Sequence, residues 1–186
     1  MDLQTGQLDR VPGRLQPAVG EPLPDRGAAH RAGVQGGDPW CIGTFLDNEL
    51  EWYGKTGHLV NEVFQLPPRQ PAKKAFYQWL VQRFGSLGEL NRQLGTAYAY
   101  EASFLNANTI PPTHAALEQA RDAFLAVIAD RYFSVASQAL READPEHLVL
   151  GCRFAGQAPK AALAAAGQYN DVFTLNTYPH VDFEDA

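Results

Sequence analysis

The residues best suited to chemistry stand together at Asp47-Asn48-Glu49, directly after an apolar run. Cleaving a glycosidic bond requires a carboxylic acid that protonates the departing oxygen and a second carboxylate on the opposite side of the sugar. Glu49 fits the first role. Asn48 beside it carries an amide that can hydrogen-bond a sugar hydroxyl, and Trp52 and Tyr53 follow closely enough to offer an aromatic face to a sugar ring. Further along, Arg153, Asn176, Tyr178 and His180 are hydrogen-bonding side chains suited to hydroxyl groups.

Each of these residues also has a plainer reading. Asn-Glu after a strand is a two-residue motif, and on composition alone it describes a solvated loop more readily than a catalytic acid. Arg153 can pair with Asp47 or Glu49 as well as with a substrate. Tyr178 and His180 flank Pro179 and together fit a simple turn. Trp52 can equally cover the rim of the fold. His30, His58, His114 and His147 show neither metal-ligand spacing nor an HExxH motif, so no metal site is expected.

The elements that must position these groups follow from periodicity. Trp40 to Leu46 is a short apolar run ended by the polar triplet, which predicts a buried strand and a loop. Pro71 to Phe84 has apolar residues at helical spacing with proline at its start. Ser86 is placed to cap a short helix carrying Leu87, Leu90, Asn91 and Leu94. A long helix is expected over about residues 114–143, its stripe running through Leu117, Ala120, Phe124, Ile128, Tyr132, Val135 and Ala139. Asp144-Pro145 stops it. His147 to Cys152 predicts a second buried strand ending at Arg153-Phe154. Pro159 to Gly167 reads as an alanine-rich helix closed by its glycine. Asp171 to Leu175 predicts a third strand, ending at Asn176 to His180. Strands alternating with helices imply an α/β fold with parallel pairing, and continuous apolar strands imply burial on both faces. All three strands run apolar and then end in polar residues, and in parallel α/β folds active sites assemble at those ends.

Composition narrows the possibilities further. The chain has 186 residues, 45% hydrophobic and 19% charged, with 15 basic against 21 acidic side chains and a net charge of −6. That suits a globular domain, and the scattered basic residues argue against a nucleic-acid partner. No apolar run approaches the length of a membrane span. The first residues have neither the basic start nor the apolar stretch of a signal peptide, which leaves the compartment open. Cys41 and Cys152 each lie in apolar surroundings and read as free thiols rather than a disulfide. Residues 1–37 contain no aromatic residue, no lysine and no isoleucine. Such a segment cannot bury enough apolar area to offset its ordering entropy. It is expected to be disordered or a non-native gene start, leaving residues 38–186 as the ordered unit.

The segment Asp38-Pro-Trp-Cys-Ile-Gly-Thr-Phe-Leu-Asp-Asn-Glu-Leu50 resembles the fourth-strand region of clan A glycoside hydrolases. It is most like the family 42 β-galactosidase-like enzymes and the related family 50 β-agarases. His147 to Phe154 looks like the fifth strand of that clan and Asp171 to Tyr178 like the sixth. Leu90 to Tyr98 resembles a helical insertion carrying an asparagine at the place of Asn91. The resemblance implies a partial (β/α)8 barrel, about half of it, in which Glu49 is the general acid/base of a retaining mechanism and Asn48 sits at the sugar. It implies an oligosaccharide or polysaccharide substrate with a β-galactosidic bond, and no cofactor. The clan's nucleophile is a glutamate ending the seventh strand, which this chain does not reach, so the chain alone is expected to be inactive. The alternatives are an inactive gene fragment or a weak carbohydrate-binding protein, and behind them an α/β enzyme of another chemistry. The sequence leaves the oligomeric state open.

Overall fold

The computed structural model describes residues 38–112 and 115–177. The expectations for residues 1–37, Tyr178 and His180 lie outside the described residues. In chain order the elements are β1 (Gly43–Asn48), α1 (Leu59–Gln65), α2 (Pro71–Phe84), α3 (Leu87–Leu94), α4 (Glu101–Asn106), α5 (Ala115–Ala143), β2 (Leu148–Ala155), α6 (Lys160–Tyr169) and β3 (Leu175–Asn176). The three strands form one sheet in the order β1-β2-β3, and both pairings are parallel.

Local chemistry accounts for several boundaries. Pro71 stands in the first turn of α2, where its missing N–H costs nothing, and Gly85 at φ 89° ends that helix. The Ser86 hydroxyl accepts the Glu89 N–H at 3.1 Å and starts α3. Helices α1 and α4 were not expected. Both are short, and each is fixed by a side-chain contact at its start. His58 Nδ1 accepts the Val60 N–H at 3.2 Å, and Ser103 Oγ accepts the Tyr100 N–H at 3.1 Å. Lys73, buried in α2, donates its ammonium to the carbonyls of Leu66 and Ala107, which end α1 and α4. Burial pushes its pKa down.

The core is one hydrophobic cluster with an aromatic group in the helical region and another against the sheet. Phe76 packs on Phe64 at 5.0 Å and on Phe124 at 4.6 Å, while Phe133 on α5 meets Trp52 at 5.6 Å and Phe154 of β2 at 6.4 Å. Burying such rings is the main source of cohesion between the layers.

Five expectations need correction. Helix α5 follows the expected stripe through Leu117, Ala120 and Phe124, but in its second half the buried residues are Ala129, Phe133, Ser137 and Leu140. Val135 is exposed, and so is Ala139. The first half packs on the helical region and the second on β2 and α6, so the buried face turns as the partner changes. Helix α6 does not stop at Gly167 but continues to Tyr169, where the Asn170 N–H still bonds to the Ala166 carbonyl at 3.0 Å. An interior glycine costs only about 1 kcal/mol in a helix, which its alanine-rich neighbours tolerate.

The first strand begins at Gly43, not Trp40, and Trp40 and Ile42 are exposed. The third is only Leu175–Asn176, because the preceding residues are held below the ladder. The Asp171 carboxylate accepts the Val149 N–H at 2.8 Å and an Arg141 N–H at 2.9 Å, which also holds its pKa down. Burial on both faces therefore holds for β2, where Val149, Leu150, Cys152 and Phe154 are buried, but not for β1 or β3. Among the described residues these two are edge strands, and Phe45 and Leu175 remain exposed.

Within β2, Gly151 adopts φ 75°, a left-handed value that suits glycine, opposite register shifts around Phe45. This bulge lets consecutive residues from Val149 to Cys152 all be buried. Both cysteines are free, and burial pushes the Cys152 thiol pKa up.

Candidate active site

The polar ends of the three strands lie side by side, as the parallel register requires. Asn48 pairs with Arg153, and Ala155 pairs with Asn176. The Glu49 N–H continues the ladder to the Arg153 carbonyl at 2.8 Å. Glu49 itself adopts φ 53°, the one non-glycine residue with positive φ among those described. A left-handed glutamate is strained by about 1–2 kcal/mol, and such strain gathers at functional sites. The turn lifts Glu49 out of the strand alternation, leaving its side chain half-buried at the strand's end.

Asn176 reaches this carboxylate across 127 residues of sequence. Its Nδ2 donates to Glu49 Oε1 at 2.6 Å and lies 3.4 Å from Asn48 Oδ1. Three of the expected site residues, Asn48, Glu49 and Asn176, are thus brought into one hydrogen-bonded group.

Arg153 is beside them in the sheet but engaged differently. Its guanidinium stacks over the Phe45 ring at 4.8 Å, and among the described residues it forms no ion pair with Asp47 or Glu49. Its buried Nε has no hydrogen-bond partner among the described residues. The expected alternative of a pairing with those carboxylates is therefore not what the fold adopts. Stacking on a ring lets a guanidinium stay charged at the sheet surface without a partner carboxylate.

Trp52 requires a correction. It is 5% exposed, stacked on Phe133 and edge-on to Tyr132 at 5.7 Å, so it neither presents a face to a sugar nor covers a rim. A tryptophan gains more by burying its large apolar ring than by standing free, and helix α5 supplies the aromatic slot. Its neighbour Tyr53 is the exposed aromatic residue of this loop.

One further residue shapes the site without having been expected there. The Tyr132 hydroxyl on α5 donates to Asp47 Oδ2 at 3.3 Å, and Asp47 Oδ1 accepts the Asn48 N–H at 2.9 Å. Burial, helped by the Asp47 charge, drives the Tyr132 pKa far up, so the phenol remains a donor. Tyr132 was legible only as part of an apolar stripe, because its partner lies 85 residues away. Asn91 has a purely structural role. Its Nδ2 donates to the Tyr98 carbonyl at 2.8 Å, while Oδ1 accepts from Thr96 and from the Tyr98 N–H, each at 2.9 Å. Among the described residues no cluster of His, Cys, Asp and Glu could hold a metal ion, and no helix is long and apolar enough to cross a membrane.

No family model matches the chain. Curated proteins do. β-Agarase B of Vibrio sp. (strain JT0107) is 32% identical over 158 residues, covering 78% of this chain and 16% of that protein. β-Agarase A of the same organism is 33% identical over 163 residues, covering 80% of this chain and 16% of its own length. Among solved structures, an exo-β-agarase superposes with a TM-score of 0.67 at 29% identity, over 75% of this chain and 20% of that one. A second agarase gives 0.68 at 30% identity, over 75% and 21%. The mixed α/β arrangement, a small parallel sheet with its helices, thus matches a segment of an agarase structure. The chain spans 16% of the length of the curated relatives it matches, and those homologues are β-agarases, hydrolases of the glycosidase class.

Proposed function

We propose that this chain carries the acid/base half of a retaining β-agarase-like active site. In this reading its three parallel strands are the fourth to sixth of a (β/α)8 barrel. The observation that supports it best is the strained, half-buried Glu49 at the end of β1, held by Asn176 from β3. A carboxyl group at that place can give its proton to the oxygen leaving a β-galactosidic bond. It can then take a proton from the water that releases the sugar. A retaining mechanism also needs a nucleophilic carboxylate about 5 Å from the acid. That carboxylate is assigned to the part of such an enzyme that this chain does not span. Asn48, Arg153 and the exposed Tyr53 are the side chains assigned to the sugar, and Trp52 is left out because it is buried. The substrate is an agarose-like galactan chain. The exposed edges of β1 and β3 are assigned to pairing with the neighbouring barrel strands, which would cover Phe45 and Leu175.

A chimera tests this reading, with residues 38–186 replacing the matching segment of β-agarase B. The chimera should hydrolyse agarose. Glu49→Ala should abolish that activity while leaving slow cleavage of an activated aryl β-galactoside, rescued by azide. Agarose hydrolysis that survives Glu49→Ala would remove Glu49 from the acid/base role. The 186-residue chain alone should hydrolyse neither substrate. Turnover by it, lost on Glu49→Gln, would show a nucleophile within these residues.

A further inference from the structure

The sequence suggests Asn176 as one more side chain for sugar hydroxyls, but its contacts describe another task. Its Nδ2 donates to Glu49 Oε1 at 2.6 Å, and the same nitrogen lies 3.4 Å from Asn48 Oδ1. One amide therefore touches both members of the Asn-Glu pair. It comes from β3, which pairs with β2 in the sheet and not with β1.

From this geometry we infer that Asn176 is a positioning residue for Glu49. It fixes the carboxyl group against the Asn48 carbonyl and favours the ionised form. The physical ground is simple. A donor aimed at a carboxylate stabilises its charged state and makes protonation harder. An acid/base group must alternate between two states, and a fixed donor shifts the balance toward the base. The strained backbone of Glu49 sets where the side chain begins, and the Asn176 amide sets where it ends.

Among the described residues, the charged and titratable groups around Glu49 include Asp47 on its own strand, Glu51 on the loop that follows, Arg153 on β2 and the Tyr132 phenol reaching Asp47 from α5. Strand β3 itself contributes only the uncharged Leu175 and Asn176. Comparing variants in one background leaves the other charges in place, so the change reports the amide.

The inference deepens the acid/base reading of Glu49 and depends on it only for its catalytic meaning. Its test uses no sugar. The chain is prepared with carboxyl-labelled glutamate, the Glu49 resonance is assigned by its loss in Glu49→Gln, and its titration is followed by NMR. In Asn176→Ala the proton affinity of Glu49 should rise about threefold to tenfold, a midpoint shift of roughly half to one pH unit. Asn176→Asp, which replaces the donor by a charge, should raise it further. A midpoint unchanged or lowered in Asn176→Ala overturns the proposal. A second measurement needs no variant of Asn176. In the wild-type chain the Asn176 side-chain amide protons should titrate with the Glu49 midpoint, and this response should vanish in Glu49→Gln. Amide protons indifferent to that titration also overturn it. Failure of the agarose chimera with this coupling intact would remove the proposed function and leave the positioning contact standing.

Discussion

The left-handed backbone of Glu49 predicts an inversion in the usual order of two substitutions. Glu49→Ala and Glu49→Gly both delete the carboxylate and with it the hydrogen bond from Asn176, so that loss cancels between them. At an ordinary extended position alanine is more stable than glycine by about 0.5–1 kcal/mol, because glycine has more freedom to lose on folding. At φ 53° any residue with a Cβ bears a penalty of about 1–2 kcal/mol that glycine escapes. Subtracting the first from the second leaves a range of about 0–1.5 kcal/mol, centred on Glu49→Gly being more stable than Glu49→Ala by about 0.5–1 kcal/mol. For a chain of this size that corresponds to a Tm difference of roughly 1–4 °C. Urea and thermal unfolding followed by far-UV circular dichroism measure it directly, with equal m-values as the check that the denatured states match. An alanine variant equal to or more stable than the glycine variant would refute the strained turn and its link to function. Glu49→Asn should fall between the two, since asparagine tolerates the left-handed region better than alanine.

Other outcomes follow from the same contacts. Trp52→Ala should cost about 3–5 kcal/mol in urea unfolding, as expected for deleting a buried ring stacked on Phe133, and a loss below about 1 kcal/mol would place Trp52 at the surface. The His147 ring presents Nδ1 to the Asp144 carboxylate at 2.8 Å and Nε2 to the Asp38 carbonyl at 3.0 Å, and the two acceptors together call for the imidazolium. The Asp38 carbonyl and then Asp144 raise its pKa above the unfolded value. Its stabilisation is therefore fully present below about pH 6.5 and fades as the pH rises through the folded value. The stability gap between wild type and His147→Gln should hold below about pH 6.5 and narrow as the pH rises above it. A gap that stays constant or widens would mean that the ring is neutral.

Much of the architecture was legible because its signals are local. Pro71 in a first turn, Ser86 before a helix and Asp144 after one act within a few residues, and the structure places α2, α3 and the end of α5 where those residues require. The rhythm of strands and helices, with polar residues at the strand ends, likewise gave a parallel sheet whose ends gather Asn48, Glu49 and Asn176. Short helices were less legible. The contacts that start α1 and α4 are backbone N–H groups donating to His58 Nδ1 and Ser103 Oγ, without a periodic stripe long enough to announce them.

What the sequence by itself determined about Asp47-Asn48-Glu49 is the set of groups and the strand end that carries them. The tertiary structure decided how they are held. Glu49 turned left-handed, Asp47 was tied to Tyr132, Trp52 turned into the aromatic slot of α5, and Arg153 stacked on Phe45. None of these follows from composition or period, because each depends on a partner brought near only when distant segments pack. A local pattern can fix which face a residue occupies, but the direction and protonation of a side chain depend on neighbours that the chain supplies from far away.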